Sequence, residues 1–439
     1  MLKKKAVQTR LDAAGAQGLL EPMIAKPDAD VVIVGGGMVG ATLALALHSG
    51  GLNPLLIDRE PMDAQLAPAF DGRASAIAFS SFRQWRAIGV GAALEPLAQR
   101  IEQILVTDGR SPGAGSGAGL PSFLRFDAAE IAERSEGEPL GYMLENRHTR
   151  AALGAALHAA KIPVLAPARV TALSVEGPAA HLILEGGRTL RAPLVIGADG
   201  KGSFVRRAAG INAIGWPYKQ SGVVATVAME RPHGGVAHEH FLPTGPFAIL
   251  PLTGDRASLV WTESPGSAEA LAAAAPELFE AHLNRRFGEF LGAVRCEGPR
   301  FVYPLGLSLA ERMTTARIAL IGDAAHSIHP IAGQGLNMGL KDIAALAEVL
   351  VDAARLGEDI GSPLVLERYA RWRRFDNVML AAATDAFTRL FSNDSSGLRL
   401  LRGAGIAVVN RIGPARRFFM QEAGGATGDL PRLLMGEAL

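Results

Sequence analysis

The sequence predicts an α/β protein: a doubly wound, Rossmann-like domain carries an inserted antiparallel-sheet domain and a helical C-terminal region. Three observations lead there. A β-branched strand, Asp30 to Val34, runs into glycines and then into the helical stretch Ala41 to His48. Two short apolar runs far downstream, Leu194 to Ala198 and Ile318 to Ile321, are each followed by an Asp and a Gly, as buried parallel strands ending at a turn would be. Between those runs, from about Trp216 to Tyr303, strand-like segments at Val223 to Met229, Ala248 to Leu250 and Ser258 to Trp261 suggest an antiparallel sheet, with a helix at Ala268 to Phe287 packed on it.

The remaining elements follow in chain order. The 439 residues exceed one ordinary core, so two domains or one large elaborated domain are expected. The boundaries read as an N-terminal extension over 1–27, a first part of the nucleotide-binding domain over 28–110, a flexible loop and excursion over 111–140, and a second part over 141–215. The inserted substrate or cap domain takes 216–305, a third part of the main domain 306–360, and the helical region 361–439. A second strand is expected at Pro54 to Ile57, a loop at Ser111 to Pro121, a helix at Arg150 to Ala160 and a small meander over Val164 to Leu190. A long helix should end near Val351.

Composition excludes several classes. With a net charge of +1 the chain lacks the basic excess of a nucleic-acid binder. Its single cysteine, Cys296, cannot form an internal disulfide and reads as an inert thiol. No run approaches the roughly 18 apolar residues needed to cross a bilayer. The basic start MLKKKAVQTRLDAAG lacks the apolar core of a secretory signal and reads as an extension before the first strand; an amphipathic targeting segment is the alternative.

Gly35, Gly37 and Gly40 form GxGxxG between strand and helix. The first glycine permits a tight turn, the second lets a pyrophosphate approach the backbone, and the third lets helix and strand pack closely. The helix N-terminus then offers unpaired N–H groups to phosphates. Asp58, at the end of the next strand, is placed to accept hydrogen bonds from ribose hydroxyls. A turn with a capping Asp would not require this combination, so a dinucleotide is expected.

Asp199-Gly200, with Ser203 and Arg206 beyond, follows the second apolar strand. The third segment is RIALIGDAAHSIHPIAGQGLNMGLKDIAALAEVL. Its strand ends at Gly322-Asp323, where a carboxylate could meet a sugar-alcohol chain. A loop with Pro330, Gly333 and Gly335 then leads into a helix whose start could face an anion.

These three segments resemble the fingerprints of the class A flavoprotein monooxygenases, the class of 4-hydroxybenzoate hydroxylase, and within it the ubiquinone-biosynthesis hydroxylases. DGRASAIAFS (Asp71 to Ser80), LGYMLENR (Leu140 to Arg147), GWPYKQ (Gly215 to Gln220) and FLPTGPFAILPL (Phe241 to Leu252) share the likeness. So do GDAAHSIHPIAGQGLNMGLKD (Gly322 to Asp342) and GDLPRLLMGE (Gly428 to Glu437). The likeness covers nearly the whole chain from Asp30. Many relatives carry Glu where this chain has Asp58, and the shorter acid should still reach ribose.

The resemblance implies FAD as cofactor, NADH or NADPH as a transient reductant without a domain of its own, and O2 as co-substrate. Oxygen would add at flavin C4a and pass OH to an electron-rich phenol ring. By the same resemblance Gly35, Gly37, Gly40 and Asp58 serve the adenosine diphosphate end, Arg73 and Arg147 the pyrophosphate or ribityl region, and Asp323 the ribityl hydroxyls. Pro330, Gly333 and Gln334 form the loop beside the flavin ring, with Gly335 lining it; no essential acid or base is assigned. Met38, Val39, Arg59, Asp199, Leu336 and Asn337 complete the expected cofactor shell. Either arginine could instead be a surface ion pair. His326 is expected to shape its loop, His329 is a weaker candidate for chemistry, and the two lack the further ligands of a metal site.

The implied substrate is a polyprenylated phenol or quinol. The enzyme would then be cytoplasmic and peripheral on the inner face of the membrane. Phe387, Leu390, Phe391, Leu398 to Arg402, Arg411 and Arg416 to Phe419 offer either an interfacial surface, a core contact or a docking site for other ubiquinone-biosynthesis proteins. A hydroxylase of a soluble aromatic compound and a non-catalytic flavin-binding scaffold are the alternatives; a flavin reductase of prenyl double bonds is more distant.

Overall fold

The computed structural model describes residues 27–67, 71–108, 123–131, 137–242, 244–288, 290–329, 334–391, 425 and 428–439. Its first layer is a six-stranded sheet in which Ile318–Leu320, Leu194–Gly197, Val31–Val34, Pro54–Ile57 and Val164–Leu165 lie side by side and parallel. Thr314–Thr315 adds an antiparallel edge. The central strands are apolar at every position because both faces are covered. Val31 and Ile33 pack with the helices Met38–Ser49, Asn146–Ala159 and Gln334–Arg355, whereas Val32 and Val34 pack against the three-stranded meander of Val170–Glu176, Ala179–Leu184 and Thr189–Ala192.

The second layer is an eight-stranded sheet built on two 17-residue strands, Ala213–Met229 and Val294–Ala310, paired antiparallel. Two features differ from the expected insert. First, the sheet is mixed: Gln103–Asp108 joins it parallel to Val236–Leu242, and Phe123–Asp127 pairs with Gln103–Asp108. These strands come from stretches expected to be main domain and loop, so the sheet is closed by chain from outside the insertion. Second, the expected helix Ala268 to Phe287 is two helices, Pro265–Ala273 and Pro276–Phe287. Pro276 lacks the N–H that would continue the first helix and instead starts the second, where its fixed φ fits.

Side-chain alternation gives this sheet two different faces. Val223, Ala225, Phe247, Ile249, Leu259 and Trp261 face the two helices and form a core with Ala268, Phe279 and Leu283. Their neighbours in sequence, Gly222, Val224, Ala248, Val260 and Thr262, face the first layer across a cavity.

The layers are locked by buried polar ties. The Asp342 carboxylate is fully buried on the long helix Gln334–Arg355. It accepts hydrogen bonds from the Gly322 backbone N–H (3.0 Å), the His326 ring (Nε2, 2.5 Å) and Arg373 Nε (2.9 Å), the last from the helix Pro363–Phe391. Burial alone would raise its pKa; the charges and hydrogen bonds of His326 and Arg373 outweigh that and hold it below the usual carboxylate value. His326 thus shapes its loop, as expected from sequence. Asn337 ties the start of the same helix to the strand Ala74–Ala78, accepting from the Ala78 N–H at 2.9 Å and donating to the Ala76 carbonyl at 2.8 Å.

Removing the acid would leave the buried His326 imidazole without its partner and the buried Arg373 guanidinium with only Asp376, about half exposed, as its anion. Asp342→Ala is therefore expected to cost about 3–5 kcal/mol in denaturant unfolding of the FAD-loaded protein. Because the folded-state pKa is depressed, the stabilisation is present above the unfolded value of 3.8 and is lost as pH falls through the folded value. Asp342→Ala should accordingly flatten the stability loss on acidification below about pH 4 relative to wild type.

Candidate functional site

A cavity of about 580 Å³ lies where the two layers meet. Its floor is made by residues that directly follow three adjacent parallel strands: Gly37 to Val39, then Ala198, Gly200 and Lys201, then Ile321 and Asp323. The crevice beyond the carboxyl ends of parallel strands is where open α/β sheets hold ligands. The opposite wall is the second face of the large sheet, and Arg73, Asn146, Tyr303, His329, Gly335 and Leu336 close the sides.

The glycine turn divides its work as the spacing suggests. Gly35 has φ +110°, and a Cβ there would meet the Ala198 carbonyl oxygen at 2.3 Å. A Cβ at Gly40 would lie 1.9 Å from the Gly35 carbonyl oxygen. Both glycines therefore serve close backbone approach. Gly37 differs: a Cβ there meets nothing within 4 Å, and the helix it starts has no side-chain cap. Its first N–H groups open onto the cavity with the positive end of the helix dipole behind them. Gly335, in the first turn of the long helix, likewise has open space at its Cβ position.

Several expected site residues are engaged within the protein. Asp58 accepts from the Gly36 N–H at 2.5 Å and the Glu60 N–H at 2.7 Å, holding the glycine turn to the end of the second strand. Asp199 does not line the cavity; it accepts from Ser203 Oγ, the Phe204 N–H and the Val205 N–H, capping the helix Phe204–Ala208. Arg206 in that helix donates to the carbonyls of Ala324 and Lys201, joining the second segment to the third. Arg59 pairs with Glu60 at the surface, and Arg147 pairs with Glu145; neither is on the cavity wall. Asn337 is the strut described above. Gln334 opens the long helix, outside the cavity wall. Pro330 and Gly333 lie outside the described residues, as do the side chains at Phe387, Leu390 and Phe391 and all of Leu398 to Arg402, Arg411 and Arg416 to Phe419.

Arg73, by contrast, reaches the cavity and is held from behind. Asp71 grips it through Nε at 2.8 Å and Nη2 at 3.0 Å, and its guanidinium lies 4.8 Å from the Tyr303 ring centroid. Asn146 and Arg150 also donate to Asp71. Burial would push the Asp71 carboxyl up, but Arg73 and Arg150 hold it well below the usual range, so it stays an anion. Asp323 opens into the cavity while packed round by protein; that desolvation raises its carboxyl pKa, against the charges of His326, Arg73 and Lys201.

Sequence reasoning missed Asp71, Asn146, Lys201, Tyr303 and Glu239. Asn146 sits beside Arg147 in the LENR passage, and of the two it is Asn146 that lines the cavity. Glu239 lies in AHEHFL, where period-2 alternation puts it on the face opposite His238 and His240. His329 lines the cavity with neither ring nitrogen hydrogen-bonded among the described residues, and burial lowers its pKa to about 4, so it is a neutral ring against Tyr218.

The residues present suit a flavin dinucleotide: a capless helix start with open space at Gly37 for phosphate, a second helix start at Gly335, and an arginine and an acid between them. Comparison with known proteins agrees. The FAD binding domain family matches residues 28–375. The ubiquinone hydroxylase UbiL of Rhodospirillum rubrum is 48% identical over 417 residues, covering 94% of each chain. The 3-demethoxyubiquinol 3-hydroxylase of Escherichia coli is 36% identical over 390 residues, 88% of this chain and 96% of that one. In fold, the crystal structure of p-nitrophenol 4-monooxygenase PnpA from Pseudomonas putida matches with a TM-score of 0.75 at 20% identity, covering 91% of this chain and 98% of that one. By family match, by these relatives and by the cavity itself, the chain belongs to the FAD binding domain family and is one of its FAD-dependent monooxygenases.

Proposed function

We propose that this enzyme hydroxylates the aromatic ring of a polyprenylated phenol or quinol in ubiquinone biosynthesis, using O2 and NADH or NADPH. The observation that carries the reading is a cavity that joins a helix start suited to phosphate to a largely apolar sheet face. FAD bound there would supply electron transfer from the nicotinamide and activation of oxygen. The chain's own residues would do the rest. Gly37, Met38 and Val39 present backbone N–H groups to the pyrophosphate, Arg73 adds charge, and Asp323 accepts from the ribityl hydroxyls. The helix start at Gly335 and Leu336 would face the flavin ring with the positive end of its dipole. Val224, Ala248, Leu250 and Val260 give the substrate ring a dry wall, which excludes water from the reacting atoms.

A prenylated substrate is lipid-soluble, so we assign the enzyme a peripheral position on the cytoplasmic face of the membrane, with contacts through its C-terminal region to lipid or to other proteins of the pathway. Among the described residues no helix is long and apolar enough to span a bilayer.

Gly37→Val adds bulk only where the cavity is open and at a φ of −65° that any residue adopts. It is expected to leave the unfolding midpoint of the apoprotein unchanged and to weaken FAD binding by about tenfold or more in flavin fluorescence titration. The substrate class is tested by anaerobic reduction of the bound flavin with NADPH or NADH. Short-tailed prenylated phenols should accelerate reduction, and the gene should restore quinone synthesis in a strain blocked at one ring-hydroxylation step. Acceleration by small soluble phenols alone would overturn the reading in favour of a soluble aromatic substrate.

A further inference from the structure

Glu239 is a buried acid with no assigned task. It sits mid-strand in Val236–Leu242, is 8% exposed and lines the cavity. Among the described residues nothing donates a hydrogen bond to its carboxyl and no cation pairs with it. Sheet register shows its setting: Glu239 lies opposite Ala248, Ala248 opposite Val260, and Val260 opposite Val224. On its other side the parallel neighbour is Val106. It is therefore an acid beside an apolar row running across the wall where the substrate ring would rest.

A carboxyl in such a place is costly unless something partners it. The histidines of its own strand are not partners, because His238 and His240 project to the opposite face, where His240 stacks on Phe247; Thr262 shares the cavity face but does not bond to it. The charged and titratable groups elsewhere on the cavity lining are Arg73, Lys201, Tyr303, Asp323 and His329, and none bonds to it. The missing partner is thus a polar atom of whatever fills the cavity. A phenolic ring is apolar everywhere except at its hydroxyl, which matches one acid set in an aliphatic wall.

We propose that Glu239 is a catalytic residue that binds the ring hydroxyl of the substrate and accepts its proton during hydroxylation. This rests on the aromatic-ring reading above. The O–H bond of the ring hydroxyl breaks, the proton passes to a Glu239 carboxylate oxygen, and the electron pair stays on the ring oxygen, where it enriches the ring carbons ortho and para to it. No oxidant beyond the enzyme's own is involved. Fixing one hydroxyl against one wall also selects which carbon faces the flavin.

Desolvation pushes the Glu239 pKa up to about 8. The base form therefore appears as pH rises through about 8, and that value sits close enough to a phenol's for efficient proton transfer. The test compares wild type with Glu239→Gln, which keeps shape and removes the acid, both loaded with FAD. The ligands are a short-tailed prenylated phenol and its methyl ether. Wild type is expected to bind the phenol more tightly than the ether, and its kcat/KM for hydroxylation should rise with pH through about 8. Glu239→Gln should retain FAD, lose the preference over the ether, lose the pH inflection, and fall about a hundredfold in hydroxylation. Glu239→Asp should keep the inflection with a higher KM. Wild type active on the phenol, with Glu239→Gln matching it in rate, preference and pH profile, would overturn this assignment alone. Wild type inert towards every prenylated phenol would overturn the substrate reading and this one with it.

Discussion

One buried carboxylate sets the frame. Asp342 collects a backbone N–H from the turn after the third parallel strand, an imidazole from the following loop and a guanidinium from the last long helix. Each donor belongs to a different part of the chain, so the acid fixes where the Gly322-Asp323 turn lies against the helix that starts beside the cavity. Close packing leaves little slack: Gly322 adopts φ +56°, and a Cβ on Gly339 would come within 3.0 Å of Val39 and 3.3 Å of the Gly322 Cα. The glycine turn, the Asp323 turn and the long helix are therefore one rigid contact, and the cavity between them inherits its dimensions.

The same logic explains why sequence motifs in this chain are only half about ligands. Asp58, Asp199, Arg206 and Asn337 all belong to the recognised segments, yet their polar atoms join those segments to one another or cap helices. A site assembled from distant stretches needs struts as well as contacts. Local pattern revealed the parallel strands and their helices because periodicity and glycine spacing are local properties. It could not show that Gln103–Asp108 joins the large sheet, because strand partnership depends on chain far away. Arg147 stands out in the sequence over Asn146 for a related reason. Charge is visible in a sequence, whereas the direction of a side chain at a helix start is decided by the strand before it.

The large sheet carries the difference between a nucleotide-binding fold and an enzyme. One face is filled by the helices Pro265–Ala273 and Pro276–Phe287, with the Phe247 and Trp261 rings in edge contact at 5.6 Å. That core leaves the other face free of structural duty, so its residues can be small: Gly222, Ala248 and the β-branched Val224 and Val260 leave room rather than fill it. A sheet held rigid from behind is a better wall than a loop would be, because water exclusion needs a surface that does not yield when the site is empty.

The cavity is consequently sorted by chemistry. Where the parallel strands end, polar donors converge: the capless helix start at Gly37, Arg73 and Lys201, all suited to anionic and hydroxylated groups. Across from them the aliphatic wall suits a ring. A ligand with both characters at once is not required, since cofactor and substrate can divide the space between them. What the division leaves over is Glu239, among the described residues the one acid on the aliphatic side. An unpartnered acid lowers stability, so its presence on a wall otherwise kept apolar is best explained by the ring oxygen that would lie against it.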